Sequence, residues 1–367
     1  MDERFECLFL NEAETVECGS KDMKRCIEVM EEMFELMAEG DYLMGSPNRN
    51  AHGIKIYFPK ESRFPNMPLK GPDRRFMALV AYLGGRFNIC GEKWYGSNVK
   101  NKDKGLPRSI LTVLLNDADT GIVKVLMSAN SLSATRTGAV AGVGAKHLSD
   151  ISAKTVSAVG LGVIGRSCLD AALHVLETVE EVYLFDIDKK ACEAYAQELE
   201  KRWGISVKVT EDVEEAVRKG DVINLATSGG DSPYIRQEWI KRRALLIFVS
   251  DANIEESIMT SSNIVVDNWK MYEAYAQELE KEEGSFADNL SGICGYLMDL
   301  VWEKKISRAD IVDISELVCN KNRDHLCKKD RTVFIMDGMP VEDVAWAYEI
   351  YQNALKRNIG TRLNFWG

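Results

Sequence analysis

Gly160-Leu161-Gly162-Val163-Ile164-Gly165 is the densest chemical signal in this chain. Glycines at this spacing hold a phosphate when they follow a strand and open a helix. The first takes the tight turn, the second lets the backbone approach a pyrophosphate, and the third lets helix and strand pack closely. The unpaired N–H groups of the helix start, at Val163 and Ile164, then face the anion. Asp186 stands 21 residues beyond Gly165, where an acid meets the ribose hydroxyls of an adenosine. A carboxylate there repels a 2′-phosphate, so the pattern favours NAD, while Lys189 and Lys190 leave room for NADP.

These residues need a strand before them and a sheet around them. Residues 155–159 are unbroken apolar, as a buried strand is. Short β-type runs recur at 182–185, 207–210, 222–226, 244–249 and 264–266, with polar-faced helical stretches between them. Such alternation argues for a parallel, doubly wound sheet. A helix of small residues over 133–148 leads into it. The region before is different in kind. Ile27, Met30, Phe34 and Met37 recur at helical spacing, capped by Ser20 and ended by Gly40. A strand is expected over 54–58, and 76–84 is apolar. The stretch 94–105 is polar and turn-rich, and a hairpin pairs 110–116 with 122–127 around a turn at 117–121. That is helix plus antiparallel sheet. A last helix over 341–357 turns Val344, Ala345, Tyr348, Tyr351 and Leu355 to one face.

A chain of 367 residues is expected to form two domains with ample core. Its net charge of −11 argues against nucleic acid and anionic membrane surfaces, which need a basic face. The nine cysteines show no CxxC spacing, and the four histidines share no metal spacing, so no metal is expected. No apolar run approaches 18 residues, and the first residues lack a signal-peptide pattern, so a cytoplasmic location is expected.

The segment from Leu132 to Leu148, with Arg136-Thr137 and Lys146-His147, resembles the ornithine cyclodeaminase/μ-crystallin family, as do Val341-Glu342-Asp343-Val344-Ala345 and Ile359-Gly360-Thr361. The similarity runs from about residue 5 to 365. It implies a Rossmann domain inserted into a discontinuous α+β substrate and dimerisation domain, here 1–130 plus 315–367 around 131–314. It implies a homodimer, a small amino or imino acid substrate, and activities among amino acid dehydrogenation, imine reduction and ornithine cyclisation. Residue by residue, Arg49 matches the arginine that grips the substrate carboxylate, Lys93 the substrate-site lysine, and Arg136 an arginine beside cofactor and substrate. Arg108 falls near the nicotinamide ribose. Asp251 matches a catalytic aspartate ending a strand, with Val249 and Ser250 leading into it. Ala226, Thr227 and Ser228 fall where a loop covers the cofactor. Met336 stands where a serine is expected near the cofactor. Asp337 stands where an apolar residue is expected near the substrate, and its carboxylate could read a cationic substrate group.

The chemistry of these types is coherent. A forked guanidinium suits a carboxylate, and fixing it places Cα for hydride transfer. A general base such as Asp251 then takes a proton or activates water, while Lys93 orients the carbonyl or imine or shares protons. Besides Met336 and Asp337, three departures bear on substrate. Asp251 is followed by Ala-Asn-Ile-Glu-Glu-Ser with no lysine, the stretch between Arg49 and Lys93 is lengthened, and no acid stands around 54–56. They favour an amino or imino acid dehydrogenase or reductase over a true cyclodeaminase with catalytic NAD. The third reading is a ligand-binding homologue without turnover.

Overall fold

The computed structural model describes residues 5–227, 232–280, 282–290 and 292–366. Ser228 lies outside them. The chain divides into two compact units: Met1–Asp22, Glu39–Arg136 and Met339–Gly367 form one, and Met23–Ala38 with Thr137–Gly338 the other.

The first unit is built on an eight-stranded sheet. Thr361–Trp366, Phe5–Leu10, Val123–Ser128, Ser109–Asp117, Ile89–Ser97 and Arg75–Leu83 lie side by side in that order, and both Tyr42–Met44 and Ile54–Tyr57 pair with Arg75–Leu83. Pairing is antiparallel except between Phe5–Leu10 and Val123–Ser128. Alternation sets the faces: Met77, Leu79, Ala81 and Leu83 are buried, whereas Phe76 and Val80 are exposed, as the two-residue period of a strand requires. The helix Pro340–Arg357 packs on the buried face. Gly91 permits this approach, because a Cβ there would stand 3.2 Å from Val344. The buried side of this helix runs through Trp346, Ile350 and Ala354, and the expected Leu355 is exposed. The stretch expected to be turn-rich from residue 94 instead continues the strand Ile89–Ser97. Lys93 at an inward position breaks the apolar alternation and conceals the strand from a hydrophobicity reading.

The second unit holds an eight-stranded parallel sheet ordered Ser206–Val209, Glu181–Phe185, Thr155–Val159, Val222–Leu225, Leu245–Phe248, Thr332–Ile335, Asn263–Val266 and Ile311–Asp313. The order reverses on either side of Thr155–Val159, and such switch points open a ligand crevice at the carboxyl ends of strands. Strand Thr332–Ile335 is hydrogen-bonded between Leu245–Phe248 and Asn263–Val266. The unit therefore extends to Gly338 rather than to 314. The break expected after residue 130 falls inside the helix Asn130–Leu148, with the division at Arg136. The helix Met23–Glu39 contributes to this unit, burying Cys26, Ile27, Met30, Met33, Phe34 and Met37 at three- and four-residue spacing. It starts beyond Ser20, whose hydroxyl is 2.7 Å from that of Ser131. Gly144 gives the side chain of Phe334 room to lie against the helix Asn130–Leu148.

Candidate active site

In the parallel-sheet unit the strands deliver their expected residues to one edge, because parallel strands share a carboxyl end. Gly160 follows Val159 with φ 89°, and a Cβ there would lie 2.6 Å from the carbonyl oxygen of Ala226. A Cβ on Gly165 would collide with the carbonyl oxygen of Gly160, so the helix Val163–Val175 reaches the strand only as glycine permits. Gly162 is the N-cap, with no side-chain cap and nothing within 4 Å of where its Cβ would be. Open space over uncapped N–H groups fits a pyrophosphate. Asp186 ends its strand and accepts from the Leu161 N–H at 2.6 Å and the Asp188 N–H at 3.0 Å. Its carboxylate is thereby held against the glycine turn.

The neighbouring loops are tied to each other. Ser250 Oγ donates to the Thr227 carbonyl at 2.5 Å, and Thr227 Oγ1 donates to the Asp251 carbonyl at 3.0 Å. Ala226 and Val249 continue the ladders, their N–H groups donating to Val159 and Leu225. Asp251 is exposed, and its Oδ1 accepts from the Gly292 N–H at 2.5 Å, at the start of the helix Ile293–Trp302. Its Oδ2 has no partner among the described residues. Met336 is buried, its N–H donating to Phe248. Asp337 accepts from the Tyr275 hydroxyl at 2.5 Å, and burial, with the Asp337 charge beside it, raises the tyrosine's pKa. A hydroxyl therefore already engages the carboxylate expected to read a substrate cation. The turn carrying it hangs on Asp267, fully buried, which accepts from the N–H groups of Asp337 at 2.7 Å and Gly338 at 3.0 Å. Asp267 was not singled out by the sequence reading. An acid closing the apolar run 264–266 was its available signal.

The antiparallel unit contains a buried cluster of four charges. Lys93 Nζ lies 2.6 Å from Asp343 Oδ2, and Arg136 Nε lies 2.9 Å from Asp343 Oδ1. Arg136 Nη1 also pairs with Glu342. All four residues are under 7% exposed. Two acids opposite two bases leave no net charge, which is the condition for keeping ions out of water. Burial pulls Lys93 down to about 8, helped by the Arg136 charge and opposed by Asp343. Burial would lower Arg136 too, but Asp343 and Glu342 more than reverse it and keep it charged. Burial raises the Glu342 carboxyl, against the pull of Arg136. Lys93 and Arg136 are expected at a substrate site, and the structure joins them to Glu342 and Asp343, for which the sequence gives no such expectation. Acids in a first helical turn read as complements to the helix dipole, and only their burial reveals another role.

Two other expected arginines lie in the same unit. Arg49 takes a left-handed backbone, φ 59°, and is exposed, with no side-chain partner among the described residues. Arg108 Nε binds Asp73 Oδ2 at 2.5 Å.

Comparison with known proteins places these features in context. The sequence profile of the ornithine cyclodeaminase/mu-crystallin family matches residues 19–358. N-((2S)-2-amino-2-carboxyethyl)-L-glutamate dehydrogenase of Staphylococcus aureus is 26% identical over 98% of this chain and 99% of its own. Alanine dehydrogenase of Archaeoglobus fulgidus is 27% identical over 98% and 99%. Among solved structures, an archaeal alanine dehydrogenase dimer with bound NAD has a TM-score of 0.77 at 26% identity, covering 98% of this chain and 100% of that one. The Thermococcus litoralis Delta(1)-pyrroline-2-carboxylate reductase, with NADH and L-proline, also has a TM-score of 0.77, at 24% identity over 97% and 100%.

Proposed function

The chain belongs to the ornithine cyclodeaminase/mu-crystallin family, and on that footing we propose that it is an NAD-dependent oxidoreductase that interconverts an amino acid and its imino acid. NADH, when bound, supplies the hydride. The observation that carries the reading is Lys93, a buried lysine held on Asp343 with a pKa of about 8. Reduction of an imine at Cα needs a proton donor whose pKa lies close to working pH, and the lowered pKa of Lys93 supports that role.

Gly160, Gly162, Gly165 and the N–H groups of Val163 and Ile164 hold the pyrophosphate, and Asp186 the adenosine ribose. Ala226, Thr227, Val249, Ser250 and Met336 border the same edge. Arg49, with its whole guanidinium unengaged, grips the substrate carboxylate. Arg136 keeps one nitrogen, Nη2, without a partner among the described residues and adds a single hydrogen bond. Asp251, with Oδ2 available, takes the proton of the water that hydrolyses the imine to a 2-oxo acid and amine, and returns it to the departing hydroxyl when the two condense. Its other oxygen stays on the Gly292 N–H, which fixes its rotamer.

Two copies assemble through the outward face of the antiparallel sheet, where Phe76, Val80, Trp94 and Ile110 are each 39–50% exposed. A contiguous apolar face of this kind marks an interface, and the archaeal alanine dehydrogenase neighbour is a dimer. All nine cysteines are free thiols, which suits a reducing, cytoplasmic compartment. No helix among the described residues is long and apolar enough to cross a membrane.

The test is absorbance at 340 nm with NADH, 2-oxo acids and ammonia or amines, and preformed cyclic imines, for wild type beside Asp251→Asn. NADH oxidation by wild type is expected; in the variant the reaction of 2-oxo acids with ammonia or amines should fall about 10²-fold or more, and that of preformed cyclic imines, which lose no water, should be spared. Ammonia release from ornithine without net NADH change would instead identify a cyclodeaminase.

A further inference from the structure

Strand Ile89–Ser97 places Lys93, Tyr95 and Ser97 on one face, since every second residue shares a side. Arg75 is the register partner of Ser97 on the adjacent strand. Before it stands Asp73, in the lengthened stretch between Arg49 and Lys93, with a left-handed φ of 48°. The Asp73 carboxylate receives Arg75 Nη1 on one oxygen, and Arg108 Nε at 2.5 Å and the Ser97 hydroxyl on the other. Two guanidiniums thus share one carboxylate, and the cluster carries a net positive charge. Its donors are not exhausted. Arg75 Nε is buried and has no hydrogen-bond partner among the described residues, and the terminal nitrogens of Arg108 have none either. Tyr95 lies between this surplus and the charge cluster, its ring 5.9 Å from Arg75 Cζ and 5.8 Å from Lys93 Nζ.

We propose that Arg75 and Arg108, held in place by Asp73, bind a second carboxylate of the substrate, so that the enzyme prefers dicarboxylic over monocarboxylic amino and imino acids. The inference rests on the hydride-transfer reading above for the identity of the reacting end. It adds the chemical class of the other end. Lys93 and Ser97 are four residues apart on an extended strand, about 13 Å between Cα atoms, and the arginine side chains cover part of that span. The second carboxylate therefore sits several atoms from the reacting Cα, on a side chain or an N-substituent, beyond the reach of a three-carbon amino acid. Arg108 acts here through its remaining terminal nitrogens, not at a nicotinamide ribose.

The experiment measures binding and turnover separately. Calorimetric titration with 2-oxoglutarate and with 2-oxobutyrate gives the Kd ratio for wild type, Arg108→Gln, Arg75→Gln and Arg108→Lys. The same pair is then assayed with NADH and ammonia. Wild type should bind the dicarboxylate at least about 10-fold more tightly, and each Gln variant should lower that ratio about 10-fold, as loss of a charge-assisted hydrogen bond does. Arg108→Lys, which keeps charge without the fork, should restore part of it. Failure to bind the dicarboxylate, an even ratio in wild type, or a ratio unmoved in folded variants overturns the subsite. Binding with the expected ratios but no NADH oxidation would leave the subsite standing and refute the hydride-transfer reading. NADH oxidation at equal preference would do the reverse.

Discussion

Replacing Asp343 by Asn removes the one acid that touches both buried bases. In the native protein Lys93 loses its proton near 8, against 10.5 for an ordinary lysine. Asp343 is what keeps the value from falling further. Removing one partner of a buried ion pair costs about 3–5 kcal/mol when the other charge must stay, but Lys93 has an exit, because it can become neutral. With about 3 kcal/mol of lost attraction and 1.36 kcal/mol per pKa unit, its midpoint falls from about 8 to about 6. A base with a depressed folded pKa binds fewer protons than in the unfolded chain between that pKa and 10.5, so stability rises with pH across this window. The depression widens the window downward in the variant. The variant's loss relative to wild type is then about 2.7 kcal/mol at pH 5, about 1.4 kcal/mol at pH 7 and essentially none at pH 9. A further, pH-independent loss comes from Arg136. Urea denaturation at the three pH values measures the trend, and the pH profile of kcat/KM should move its alkaline limb from about 8 to about 6 in parallel. An equal loss of stability at all three pH values, with an unmoved limb, would refute the coupling of Asp343 to the Lys93 proton.

Three further outcomes are expected. Gly162→Leu puts a side chain into the open space over the helix start at a φ of −64°, which any residue adopts. NADH affinity by fluorescence titration should fall at least about 10-fold with little change in Tm, and unaltered affinity would remove Gly162 from the cradle. Asp186→Ser removes the carboxylate that repels a 2′-phosphate, so the Kd ratio of NADPH to NADH should fall about 10-fold or more. An unchanged ratio would mean that Asp186 only anchors the glycine turn. Trp94→Glu with Ile110→Lys places two charges on the outward sheet face, and light scattering should report a monomer. A variant that stays dimeric would place the interface elsewhere.

Much of the cofactor edge was legible because its signals are local. Three glycines and an acid at fixed spacing state a backbone requirement, and the backbone has a positive φ at Gly160, an open helix start at Gly162, a close approach at Gly165 and the Asp186 carboxylate on the Leu161 N–H. The alternating strands were equally readable, since buried parallel strands are continuous apolar runs. What escaped depends on contacts between distant segments. Glu342 and Asp343 meet Arg136 across more than 200 residues, and nothing in V-E-D-V-A distinguishes a solvated first turn from a buried one. Lys93 hid its own strand by interrupting the apolar alternation. Asp73 lies in a stretch that reads as irregular, and its two arginines are 2 and 35 residues away. Strand Thr332–Ile335 is too short to announce its place in the middle of a sheet.

That last strand has a consequence for how the protein can be made. The parallel sheet is not complete until residue 335 has been synthesised, because its sixth position is filled from beyond the strand pair Asn263–Val266 and Ile311–Asp313. A fragment ending at 314 would leave Leu245–Phe248 and Asn263–Val266, two fully buried hydrophobic strands, with unpaired edges facing a gap. Open edges of that kind recruit other chains, and pairing of such sequence separation forms late. On the ribosome the nucleotide-binding half therefore waits for the last tenth of the chain. Expression of residues 137–314 joined to the helix 23–38 should yield aggregate, and residues 137–338 joined to the same helix should yield soluble protein.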